Sequence, residues 1–350
     1  MRNSIESMSL SYSRQMPSVR DCDFDEFVVM DDFAYRWPYP VFCNPTANNG
    51  YQYQANWQCY NAISVGNVRD SNLTHYMCDD RFTPVNFQQS QTTNPDAVYG
   101  DTDDREMPNV VVPGIHPDGD TIYTEPWDHF ALGQFPANGT SLSAPICNGI
   151  AACVMSANSS YYRTYPERVR AAIMVTAQNV HGGEWDASVD GRDGAGVVSG
   201  YSAATFAQQA TVLWGPTMYA YEQACAWDDW AEDDYSNKVY AVKTPSQLPA
   251  NKHLRLVLTW DSNPDMVNMD NSLSDFDLVF SSSTDIQDYI AYSSSYNGNV
   301  EIVDIPRNDL EADETYYAIL TAFTFRVPDG ARSSSTYYSL AWTWVADHAD

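Results

Sequence analysis

The residues best suited to chemistry stand in one short run, Gly139-Thr140-Ser141-Leu142-Ser143-Ala144-Pro145, which leads straight into an apolar segment. A serine at the first turn of a helix sits among backbone N–H groups that have no partner inside the helix, and the helix dipole favours negative charge there. Such a serine suits attack on a carbonyl, with nearby amides capturing the oxyanion. A simple N-cap has the same local look, because Ser and Thr are favoured caps. A nucleophile also needs a base; His129, twelve residues ahead of Ser141, reads first as a surface or capping histidine and only second as an improvised base.

The elements that must position this serine follow from the hydrophobic pattern. Ile146, Ile150 and Val154, with small residues between them, predict a helix from Ser141 through Ala157 that packs closely on a sheet. Pro166 and Glu167 open a second helix, filled by Val169, Ala172, Ile173, Val175 and Ala177 and ended by Gly182 and Gly183. Upstream, Pro40 to Phe42, Ala62 to Val68 and Val110 to Val112 read as short buried strands, with a Gly/Asn loop from Thr46 to Gly50 and a polar insert from Asp70 to Asp104. Strands followed by helices imply an α/β layer.

Beyond about residue 235 the texture turns alternating and aromatic. Strands are expected at Val239–Val242, Leu254–Trp260, Phe276–Phe280, Val300–Val303, Tyr316–Phe323 and Tyr337–Trp344, enough for an all-β sandwich. The run AWDDWAEDD from Ala226 to Asp234 separates the textures. The expected division is a first domain over 1–212, a linker over 213–234 and a sandwich over 235–350.

Composition narrows the partners. The 350 residues are 44% hydrophobic, sufficient for a real core and about two domains. Forty-six acidic residues against 18 basic ones give a net charge of -28, a field that repels phosphate backbones, so nucleic acid is excluded. No stretch approaches the roughly 18 apolar residues of a membrane span, and the opening MRNSIESMSL has no apolar stretch of the signal-peptide kind.

The seven cysteines form no CxxC pair and have no interleaved histidines, which argues against structural zinc. Cys43, Cys59 and Cys78 flank loop-like stretches, and a Cys43–Cys59 disulfide is expected in an oxidising compartment, whereas Cys147 and Cys153 read as small core residues. Asp261, Asp265, Asp270, Asp275 and Asp277 crowd one loop and its flanking strands; such oxygen ligands, chiefly Asp261, Asp275 and Asp277, could hold a structural Ca2+, or simply line an acidic solvated loop.

The segment NGTSLSAPICNG resembles the nucleophile motif of the subtilisin-like serine proteases (subtilases, peptidase S8), Gly-Thr-Ser-x-Ala/Ser-x-Pro with a following glycine, here Gly149. The resemblance implies that Ser141 is the nucleophile. VFCNPTANNG is similar to the family's strand and Gly-Asn loop, with Asn48 at the oxyanion asparagine. ISVGNV at Ile63–Val68 and Val112-Pro113-Gly114 resemble two further family strands, and GAGVVSGYSAATFA at Gly194–Ala207 its closing segment. Ser7 to Tyr12 resembles the strand that pairs with substrate backbone, which makes Ser9, Leu10 and Ser11 substrate-binding residues, with Ser11 and Tyr12 in place of the family's glycines. Asn148 departs from the family's usual small residue.

The resemblance thus implies the C-terminal half of a doubly wound parallel-sheet subtilase domain, acting on peptide or protein substrate outside the cell. The Asp-Ser/Thr-Gly and His-Gly-Thr-His motifs, which the family places ahead of the Ser-Leu-Gly strand, are not found. All six histidines follow Asn48, so the chain alone is expected to be nearly inactive, its acid and base coming from a missing or separately encoded N-terminal half. Leu258-Thr259-Trp260-Asp261 and Asp275-Phe276-Asp277-Leu278-Val279 resemble strands of the jelly-roll domain that follows some large secreted subtilases. The competing reading is a pseudoprotease that acts as a binding or scaffolding protein through this sandwich.

Overall fold

A computed structural model of the chain describes residues 5–7, 31–32, 34, 40–45, 59–69, 109–115, 121–122, 135–136, 140–163, 165–178, 194–209, 218–223, 237–261, 275–294, 299–324 and 337–346. The first layer is a parallel sheet of β1 (Ile5–Ser7), β2 (Val41–Pro45), β3 (Ala62–Arg69) and β4 (Val110–Ile115), in that spatial order. β2 is buried along its whole length, as strands covered on both faces are. Ser64 and Asn109 lock the start of β4 to β3: the Asn109 Oδ1 accepts from the Ser64 amide and hydroxyl at 2.9 and 3.0 Å, and the Asn109 amide donates to the Ser64 hydroxyl at 2.8 Å. A two-stranded ribbon, β5 (Thr121–Ile122) with β6 (Phe135–Pro136), follows.

Four helices come next: α1 (Thr140–Ala157), α2 (Ser159–Tyr162), α3 (Pro166–Val175) and α4 (Gly200–Gln209). The expected apolar face of α1 is shifted. Ala144, Cys147, Ala151 and Val154 are the buried stripe, while Ile146 is 47% exposed, because close approach to the sheet selects the small side chains. Cys147 is core as expected, but Cys153 lies on the solvent side of α1. Between α3 and α4, Gly194 and Gly196 take positive φ (58° and 108°), which the Gly-x-Gly sequence permits. They lead Val197 alongside Val111 as a parallel bridge that extends the sheet.

The expected Cys43–Cys59 disulfide is not present: both residues are thiols. Cys43 is not at a loop margin but in the middle of β2, fully buried and facing α1, whereas Cys59 lies ahead of β3.

The second half is two antiparallel four-stranded sheets. One has the order β12-β9-β14-β7 and the other β11-β10-β13-β8, from β7 (Met218–Gln223), β8 (Lys238–Lys243), β9 (Lys252–Trp260), β10 (Asp275–Ser281), β11 (Tyr289–Ser293), β12 (Val300–Ile305), β13 (Thr315–Thr324) and β14 (Tyr337–Ala346). The six expected strands are present. β7 falls within the stretch expected to be a linker, where it pairs with β14 from Met218↔Trp342 to Gln223↔Tyr337. Inward residues of both sheets, among them Leu256, Trp260, Phe276, Leu278, Leu320 and Tyr338, form one core. Trp260 meets Phe276 edge-on, with ring centroids 5.1 Å apart.

The outer face of the β12-β9-β14-β7 sheet is not solvated. Its Val257, Val300, Ile302 and Ala341 join the core of the α/β layer, packed on α3. All ten residues of α3 are buried, Glu167, Arg168 and Arg170 included, because the helix lies between the two halves. Arg168 meets this burial by sitting over the rings of Tyr161 and Tyr165, 3.8 and 4.1 Å from their centroids.

Candidate active site

β1 to β4 run in parallel, so their C-terminal ends share one edge, the place where open α/β sheets bind ligands. β1 ends at Ser7, two residues ahead of Ser9, and β2 ends at Pro45, three residues ahead of Asn48. The two strands that precede the candidate substrate-binding and oxyanion residues in the chain therefore end at this edge. Ser9, Leu10, Ser11, Asn48 and His129 themselves lie outside the described residues.

Ser141 is the second residue of α1, and its side chain is outside the described part. The start of α1 is fixed to the same edge by Ser143, whose buried hydroxyl donates to the Val112 carbonyl of β4 at 2.8 Å. No acidic residue lies in the first turn to neutralise its amides. Pro145 has no N–H to give to the carbonyl of Ser141 four residues back, so that carbonyl lacks its usual helical partner. Thr140, Ser143 and Ala144 are fully buried, which leaves the helix start no freedom to shift. Asn148 is also buried, and its side-chain oxygen finds no hydrogen-bond partner among the described residues, so the departure from a small residue here carries a polar cost.

The sheet on which α1 rests is braced from the second half of the chain, through residues that carry no local motif. Arg255 of β9 donates from Nη1 to the carbonyls of Ala177 and Ala195, at 2.8 and 2.5 Å, and so joins the two ends of the excursion between α3 and the closing segment. Its Nε and Nη2 grip Asp304 of β12 at 2.7 Å each. Burial opposes charge on Asp304, but Arg255, with His253 at 3.4 Å, holds its carboxyl far below the usual carboxylate range. Ala195 in turn donates to the Asn109 carbonyl, and the Val111 amide donates to Gly196, so the clasp reaches β4.

A second brace stands at the opposite end of β3. Arg170 of α3 donates to the carbonyls of Tyr60 and Trp260 at 2.7 and 2.5 Å and to Asp261 at 2.8 Å. Asn299 bridges the same two carbonyls, and Thr259 donates to the Glu167 carbonyl. Asp31 accepts from the amides of Tyr60 and Asn61, completing the hold on the entry to β3.

Asp261, a candidate calcium ligand, is thus engaged with Arg170; burial outweighs that charge and pushes its carboxyl above the ordinary value. Asp277 accepts from Thr321 at 3.2 Å, and burial pushes it up to about 6 against that hydrogen bond. The side chain of Asp275 is outside the described residues. Among the described residues no group of three or more His, Cys, Asp and Glu side chains is placed to hold a metal ion, and no helix is long and apolar enough to cross a membrane.

The signal for the two braces was present as arginines set inside apolar runs, Arg170 in VRAAIMV and Arg255 in HLRLVLTW. No curated protein matches this sequence. The model of the subtilase family, peptidase S8, matches residues 37–196, which span β2, β3, β4, α1 and α3 together with the Ser141 motif. Over residues 37–196 the chain is thus similar to the subtilase family of serine proteases.

Proposed function

We propose that this chain carries the nucleophile and oxyanion-binding half of a subtilisin-like serine endopeptidase. Ser141 Oγ attacks the scissile peptide carbonyl and forms an acyl-enzyme, which water then hydrolyses. The Ser141 amide and the Asn48 side chain hold the oxyanion, while Ser9 to Ser11 align substrate backbone. The serine's proton passes to a histidine, oriented by an aspartate, that residues outside this chain provide. The observation that carries the reading is the Ser143–Val112 tether, which supports a Gly-Thr-Ser helix start at the edge where β1 and β2 also end.

The sandwich is read as a jelly roll, supported by its strand orders β7-β14-β9-β12 and β8-β13-β10-β11, in which chain neighbours alternate between the sheets except for the paired β10 and β11. The family's usual setting, outside the cell, is assigned to this protein. The test is peptide hydrolysis by the chain supplied with a segment bearing the Asp-Ser/Thr-Gly and His-Gly-Thr-His motifs. Asn48→Ala is expected to lower kcat on the order of 100- to 1000-fold with KM little changed. Equal turnover by Asn48→Ala would remove it from the oxyanion site.

A further inference from the structure

We propose that Cys43 and Cys147 become joined by a disulfide when the chain folds in the presence of a small-molecule disulfide, fastening the strand that leads to Asn48 to the helix that begins at Ser141. Both residues are fully buried in the same core, Cys43 in β2 and Cys147 in α1. The helix packs directly on β2, and the Cys147 thiol, together with burial, pushes the Cys43 thiol well above its ordinary value. Ala144 and Ala151 stand one turn to either side of Cys147 on the buried stripe of α1, and these small residues let the helix come close to β2. Disulfide formation needs such closeness, with side chains aimed at each other.

The other described cysteines offer no such pair. Cys59 lies ahead of β3, and Cys153 is on the exposed side of α1. The chemistry balances by two exchanges. One cysteine thiolate attacks the small disulfide, forming a mixed disulfide and releasing one small thiolate, which takes up the proton. The second cysteine thiolate attacks the protein sulfur of the mixed disulfide and expels the second small thiolate, so two thiols of the chain are oxidised and one disulfide is reduced to two thiols. In the folded core the thiolate is disfavoured and the oxidant has no access, so the exchange belongs to folding, before α1 closes on β2.

Bridging positions 43 and 147 closes a loop of about a hundred residues, the kind of cross-link that constrains the unfolded chain most. The bond does not depend on the catalytic reading. The experiment is cell-free synthesis of the full chain in a glutathione and glutathione disulfide buffer, followed by alkylation and non-reducing peptide mapping. The expected result is one linked pair, the Cys43 peptide with the Cys147 peptide, about 2 Da below the sum of the two. It should vanish in Cys147→Ala, and the oxidised chain should melt several degrees higher than the reduced one. Alkylation of both residues, or linkage of Cys43 to any other cysteine, would overturn the proposal.

Discussion

Arg255 and Asp304 face each other across β9 and β12 through two hydrogen bonds of 2.7 Å, and neither side chain is more than 5% exposed. The same guanidinium holds two backbone carbonyls of the α/β layer. The sandwich therefore belongs to the structure that supports the Ser141 helix, and is no separate appendage.

Arg255→Met leaves Asp304 buried without its partner and frees the Ala177 and Ala195 carbonyls. A loss of about 3 to 5 kcal/mol is expected in urea unfolding. The double variant Arg255→Met/Asp304→Leu should recover part of that loss, giving a clear coupling energy in the cycle. Because Asp304 is held below the ordinary carboxylate range, the stability it contributes is complete above about pH 4 and fades as the pH falls below that.

One core and two braces across the halves imply one cooperative unit. Native-state hydrogen exchange should show the slowest amides of β4 and β9 opening with the same free energy and the same denaturant dependence. Distinct opening energies would mean that the halves unfold independently.

Ser143→Ala removes the donor from the buried Val112 carbonyl. The expected cost is about 1 to 2 kcal/mol, measured by thermal unfolding. A change within a few tenths would show that the tether does not hold α1 to β4.

Asp277 binds its proton more tightly in the folded chain than in the unfolded chain, up to about pH 6. Between about pH 4 and 6 the folded state thus carries the extra proton, and this group's contribution falls as pH rises. Asp277→Asn should be more stable than the parent at pH 7, on the order of 1 to 2 kcal/mol, with the gap closing towards pH 4. A gap that is the same at both pH values would contradict the shift.

The candidate catalytic segment was legible because its signals are local. The Gly-Thr-Ser turn, the small-residue helix and Pro166 at a helix start are each written within a few residues, and α1 and α3 begin within one residue of the expected positions. What was not legible depends on partners far along the chain. Ile146 has the right period for a core face, yet only the sheet's proximity decides that Ala144 and Cys147 are inside. β7 and β11 are short and carry polar residues, and β7 becomes a strand only by pairing with β14. Asp261 read as one of an acidic cluster because Arg170, 91 positions earlier, is its actual partner.

The most direct measurement is fluorophosphonate labelling of the purified chain, alone and with a segment bearing the aspartate and histidine motifs, followed by mapping of the labelled residue. Labelling is expected at Ser141 in the supplemented chain, none in Ser141→Ala, and little in the chain alone, since phosphonylation needs an activated serine. Labelling at another residue, or none at Ser141 in the supplemented chain, would contradict this expectation.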